Sequence, residues 1–110
     1  MLPVVPRHLL PLLVGVVLLA GPALPLPLVP LECRLDAGAW SRCTMEVVRL
    51  GEHWWIRTGD QRIEFRHDGK GGITMRRAAG SPWQAVTASW SAEAALCWDG
   101  VCARGAIPLD

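Results

Sequence analysis

His53-Trp54-Trp55-Ile56-Arg57-Thr58-Gly59-Asp60-Gln61-Arg62-Ile63-Glu64-Phe65-Arg66 reads as two strands joined by a tight turn. Gly59-Asp60 suits a two-residue hairpin turn with glycine first. That turn sets Arg57 opposite Arg62, Ile56 opposite Ile63, Trp55 opposite Glu64 and Trp54 opposite Phe65. Both apolar pairs fall on one face, as a correct register requires, because a slip of one residue would send every side chain to the other side. The sequence thus predicts an antiparallel pair with one buried face.

Working outward, the same test selects the neighbouring loops. A four-residue loop over 49–52 pairs Val47 with Trp54 and Met45 with Ile56. A three-residue loop over 68–70 pairs Phe65 with Ile73 and Ile63 with Met75. A two-residue turn at Asp68-Gly69 would set Ile73 against Glu64 and is rejected. Upstream, Leu31, Cys33 and Leu35 alternate with Glu32, Arg34 and Asp36, which is strand periodicity. Downstream, residues 83–90 read as a strand after the Gly80-Ser81-Pro82 turn, and 95–98 with 101–109 as a hairpin. Only 91–96 has any helical character. The expected fold is all-β: a small antiparallel meander of about seven or eight short strands, closed or nearly closed into a barrel, which would remove exposed edges. A small β-sandwich is the alternative.

Cys33, Cys43, Cys97 and Cys102 allow three connectivities. Asp99-Gly100 is a strong hairpin-turn signal. It pairs Trp98 with Val101 and sets Cys97 opposite Cys102 at a non-hydrogen-bonded pair, where side chains approach closely. The expected disulfides are Cys97–Cys102 and, by default, Cys33–Cys43. A zinc site is disfavoured because Cys33 and Cys43 are too far apart for a compact knuckle.

The N-terminus decides the compartment. Leu9 to Ala20 is an apolar run behind Arg7 and His8, closing in Gly21-Pro22-Ala23. A basic start, a short apolar stretch and a small-residue exit are the layout of a secretory signal. The expected organisation is a signal peptide over 1–23, a proline-rich extended tether over 24–30 and a single β-domain over 31–110. The expected address is periplasmic or secreted, where disulfides persist. The alternative is a chain anchored in the membrane through this segment, left uncleaved. Formal charge is +1 from 11 basic and 10 acidic residues. Near-neutrality argues against a general nucleic-acid binder. Tryptophan supplies nearly all aromatic mass, six residues against one phenylalanine and no tyrosine, so most of the six are expected in the core.

The registers also define an outward face. One row is Thr44, Arg57, Arg62 and Arg76. The next is Glu46, Trp55, Glu64 and Thr74, and the third is Val48, His53, Arg66 and Gly72. Like charges side by side destabilise a sheet, and Glu46 and Glu64 lie diagonally to offset part of that. Trp55 has a flat face available to guanidinium stacking. The candidate binding residues are therefore Trp55, Arg57, Arg62, Arg66 and Arg76, for an anionic or sugar-like partner. The competing reading is a solvated face on which long arginine stems cover Trp55.

No catalytic signature is present: no Gly-x-Ser-x-Gly elbow, and Glu52-His53 lacks a second histidine at helical spacing. His53 points outward and His67 sits on the inward parity, so they are not expected to converge. Gly69-Lys70-Gly71-Gly72 lacks phosphate-loop spacing. The expectation is no enzyme, no cofactor and no metal. The chain is expected to be a binding or structural module of the cell envelope, its partner an envelope polymer or acidic protein. Size, export signal, sheet and disulfides are similar in architecture to small periplasmic inhibitors of lysozyme. That similarity implies an alternative function, inhibition of an envelope-targeting hydrolase by a loop such as 69–72. The chain lacks the tyrosine and the serine-glycine loop typical of those inhibitors.

Overall fold

The computed structural model describes residues 26–108. It contains nine strands and, among the described residues, no helix: β1 (Leu28–Leu35), β2 (Ser41–Arg49), β3 (His53–Thr58), β4 (Gln61–His67), β5 (Ile73–Arg76), β6 (Gln84–Val86), β7 (Ala88–Trp90), β8 (Leu96–Trp98) and β9 (Val101–Arg104). All belong to one antiparallel sheet in the order β6-β5-β4-β3-β2-β1-β9-β8-β7. The two edge strands, β6 and β7, are consecutive in the chain and separated by Thr87 alone. The sheet must therefore curl until its edges meet, and the result is a nearly closed barrel rather than a sandwich. The strand expected over 83–90 is this closing segment, broken at Thr87.

Period-two alternation fills the barrel. Leu31, Cys33, Met45, Val47, Trp54, Ile56, Ile63, Phe65, Met75, Trp98, Val101 and Ala103 are buried together. Trp54 stacks on Phe65 at 5.4 Å and Phe65 meets Trp98 at 4.8 Å, so three rings tie β3, β4 and β8 across the interior. The indole N–H groups of Trp54 and Trp98 are buried without an acceptor, a cost set against the large area these rings remove from water. Only these two tryptophans are core. Trp40 and Trp55 are half-buried, and Trp83 and Trp90 are exposed. The expected tryptophan core is instead largely aliphatic and methionine, because strand parity sends Trp55 outward when Trp54 faces in.

The β3–β4 register is as read from the sequence, from Thr58 opposite Gln61 to Trp54 opposite Phe65. Val47 opposes Trp54 and Met45 opposes Ile56, also as expected. A bulge then places Arg49, not Val48, opposite His53. The β4–β5 register needs correcting: Phe65 faces Met75 and His67 faces Ile73. The turn is five residues long because Asp68 braces it. The Asp68 carboxylate accepts the N–H of Lys70 at 2.6 Å and of Gly72 at 2.9 Å, and the Asp68 N–H donates to the Gly72 carbonyl. The bonds from the Lys70 and Gly72 N–H groups hold the Asp68 carboxyl below its ordinary range. The shift is two residues, so the buried face is unchanged.

Both disulfides form as expected, Cys33–Cys43 with Cα atoms 5.7 Å apart and Cys97–Cys102 at 4.0 Å. Cys97 opposes Cys102 across a turn whose Asp99 and Gly100 both have positive φ, 43° and 92°. The Gly100 carbonyl also accepts the Asp36 N–H at 2.6 Å, joining this turn to the end of β1. The positive φ at Gly100 is what favours glycine there; a Cβ would also crowd the Asp36 carboxylate, which is exposed and can move aside.

Three boundaries differ from expectation. Strand structure begins within the stretch expected as a tether, since Leu28, Val29 and Pro30 already pair with Glu46, Met45 and Thr44. The C-terminal hairpin stops at Arg104. Residues 91–95 form a turn in place of helix, with the Ser91 N–H donating to the Ala95 carbonyl and Ala94 at φ 60°. The expected signal over 1–23 lies outside the described residues, as does the start of the tether. Among the described residues no helix is long and apolar enough to cross a membrane.

Candidate functional site

Strands β3 to β5 carry Trp55, Arg57, Arg62, Arg66 and Arg76 on one outer face, because all five have the parity opposite to the core. The corrected β4–β5 register rearranges their rows. Arg76 stands opposite Glu64, not in line with Arg57 and Arg62. The expected row of three arginines is thus a pair, Arg57 opposite Arg62, followed by a row of Glu46, Trp55, Glu64 and Arg76.

The two glutamates are the unexpected feature. They point outward yet are buried, Glu46 to 9% exposure and Glu64 to 3%. Arginines cover them. Arg62 donates to Glu46 at 2.7 Å, and Arg57 approaches the same carboxylate at 3.6 Å. Glu64 accepts from Arg76 at 2.7 Å and Arg66 at 3.4 Å, and lies 2.7 Å from His53 Nε2. Burial pushes the Glu64 carboxyl upward. Hydrogen bonds from Arg76 and His53, with their positive charge, outweigh it and hold the group below its ordinary range.

The same guanidiniums lie over indole rings. Arg62 sits 3.8 Å from the Trp55 ring centroid. Arg76 and Arg66 sit 4.6 Å and 5.5 Å from that of Trp83. Each stacked guanidinium keeps donors facing water, since it has five and spends few on glutamate. Four arginines against two glutamates leave two positive charges in excess. Arg57, Arg62 and Arg66 remain about half exposed, at 54%, 46% and 58% of the side chain.

Sequence reading missed Trp83 and the burial of the glutamates. Trp83 follows Pro82 and precedes β6, and the β5–β6 register, with Met75 opposite Gln84, brings it beside Arg76. His53 and His67, expected to stay apart, border one shallow depression of about 280 Å³ with Glu52 and Arg66. The bulge at Val48 and the long β4–β5 turn bring them there. Their ring nitrogens are engaged separately: His53 with Glu64, and His67 Nδ1 accepting the Gly69 N–H at 2.9 Å. Among the described residues no three His, Cys, Asp or Glu side chains gather in a metal-holding group.

A second cluster, on β1, β9 and the loops beside them, repeats this chemistry. Arg104 lies 4.1 Å from the Trp40 ring centroid and donates to Glu32 at 2.9 Å. Glu93 accepts from Arg34 at 3.3 Å and from the Trp40 indole N–H at 3.4 Å. No protein-family model, curated protein or solved structure matches this chain.

Proposed function

We propose that this chain is an exported, non-enzymatic binding module of the cell envelope. Its partner is an anionic polymer or an acidic protein, received on the outer face of β2 to β5. The observation that carries this reading is the set of four arginines held over Trp55, Trp83 and two buried glutamates. The glutamates fix the guanidiniums in place, which lowers the ordering entropy an incoming anion must supply. The rings hold them from one side while free donors face outward. Two disulfides support export, since such bonds persist in oxidising compartments.

The test is binding to a polyanion across ionic strengths. Arginine-mediated binding weakens steeply with salt, because exposed charges are screened within about 8 Å at physiological strength. Arg66→Ser removes the most exposed of the four and should weaken binding. Salt-independent binding, or none to any polyanion, would remove this reading. The second reading, a hydrolase inhibitor acting through residues 69–72, is favoured by the Asp68 brace, which pre-orders the turn beneath exposed Lys70. Its signature is salt-tolerant inhibition of a lysozyme-type enzyme, lost in Asp68→Ala.

A further inference from the structure

Beside the face just described lies a broad depression of about 970 Å³ over the outer side of β1 and β2. Its lining includes Pro30, Glu32, Arg42, Thr44, Arg57 and Arg104. The registers explain the shape. Pro30 pairs with Thr44, so two small side chains occupy the middle of the outer surface. Longer side chains rise around them: Glu32 opposite Arg42 on one row, Arg104 beyond Glu32, and Arg57 directly opposite Thr44.

The charges around this depression are unequally satisfied. Arg104 is hydrogen-bonded to Glu32, and Glu93, also in the lining, is bonded to Arg34 outside it. Arg57 has a carboxylate only at 3.6 Å, with no hydrogen bond to it. Arg42 is exposed and makes no ion pair with any described residue. Arg42 precedes Thr44 by two residues on the same strand and shares its face, while Arg57 adjoins Thr44 across the strand pair. Two guanidiniums with unspent donors therefore flank one hydroxyl. Arginine matches phosphate and carboxylate oxygens with paired donors, and the hydroxyl adds a third.

We infer that Arg42, Arg57 and Thr44 form an oxyanion subsite, for one phosphate or carboxylate group of an anionic polymer whose chain passes over Pro30. Arg57 also borders the arginine–tryptophan face, so the subsite extends that face toward β1. One polyanion can run from Trp83 past Arg62 to Arg42. This extension rests on the proposed reading of the face, but the subsite itself does not use Arg66, Arg76 or Trp83.

The experiment titrates the full chain with linear polyphosphate and, separately, with polyglutamate, and follows backbone amide shifts by NMR. Arg42→Ser should weaken the preferred polymer by roughly ten-fold, the scale of losing one charged hydrogen bond to an anion. The Thr44 amide should shift on addition of that polymer in the wild type and not in the variant. The polymer more affected identifies the anion. Arg49→Ser, at the opposite end of β2 and paired with Glu52, should bind as wild type. Wild-type binding by Arg42→Ser, or an unmoved Thr44 amide, overturns the subsite. Weakening by Arg66→Ser alone would then leave the face reading standing. Weakening by Arg42→Ser alone would keep the subsite and remove the face.

Discussion

Glu64 shows how a surface residue becomes structural. It has outward parity, yet Arg76, Arg66 and His53 close over it until 3% is exposed. A carboxylate so enclosed depends on its partners, because an unpaired buried charge is strongly unfavourable. Glu64→Gln should cost about 2 kcal/mol near neutral pH, since charge-assisted hydrogen bonds are lost to a neutral acceptor. Its carboxyl is held below the ordinary 4.5 in the folded state. The stability it contributes is therefore complete above about pH 4.5, and is lost as pH falls through the lower folded value. Chemical denaturation between pH 3 and 7 should show a flatter acid limb in Glu64→Gln than in the wild type. Arg62 follows the same logic. Opposite Arg57 it reads from sequence as a repulsive pair whose removal would be neutral or stabilising. Its 2.7 Å bond to buried Glu46 and its stacking on Trp55 reverse the sign. Arg62→Thr should destabilise by about 1 kcal/mol, read as a lower denaturation midpoint with unchanged slope.

Strands and turns were legible to the extent that local chemistry specifies them. Gly59-Asp60 and Asp99-Gly100 dictate their own hairpins, and the β3–β4 and β8–β9 registers follow. The 68–72 turn did not yield in the same way, because two loop lengths place apolar residues on the same face. The choice between them belongs to the Asp68 carboxylate and its two backbone donors. That one turn moves Arg76 beside Glu64, so the candidate site inherited the error: the outward face shared by its five residues was legible and their pairing was not. The bulge at Val48 and the burial of Glu46 and Glu64 arise from tertiary packing, which no alternation pattern encodes. The Cys97–Cys102 staple belongs with the legible class. It closes a very short loop, so the entropy removed from the unfolded chain is modest, about 2 kcal/mol. Cys97→Ser with Cys102→Ser should lower the melting temperature while retaining the β circular-dichroism signature, since Trp54, Ile56, Ile63 and Phe65 still hold the central strands. Non-reducing peptide mapping of the parent chain should recover the Cys97–Cys102 link in one short fragment.

Closure of the barrel depends on its weakest part. The central strands β1 to β4 are six to nine residues long and enclose most of the buried side chains. The closing segment is two strands of three residues, and only Val86 within it is buried. Each half holds a different neighbour, β6 pairing with β5 and β7 with β8. Little apolar area therefore opposes the release of this segment, while its ladder bonds alone keep both sheet edges covered. Opening free energies follow local burial, so this seam should part well before the core does. Native-state hydrogen exchange should show the amides of residues 84–90 exchanging through a low-energy local opening. Ile56, Ile63 and Phe65 should exchange only through global unfolding. Equal protection at the seam and the core would mean that closure and core packing form one cooperative unit. In that case Trp90, 67% exposed on β7, could not report the opening separately. If the seam does part first, Trp90 fluorescence should change at a lower denaturant concentration than the signal of a variant whose only tryptophans are Trp54 and Trp98. Once parted, β5 and β8 present unpaired edges to other chains. The aggregation rate in mild denaturant should then rise with the population of the open seam, before the global midpoint is reached.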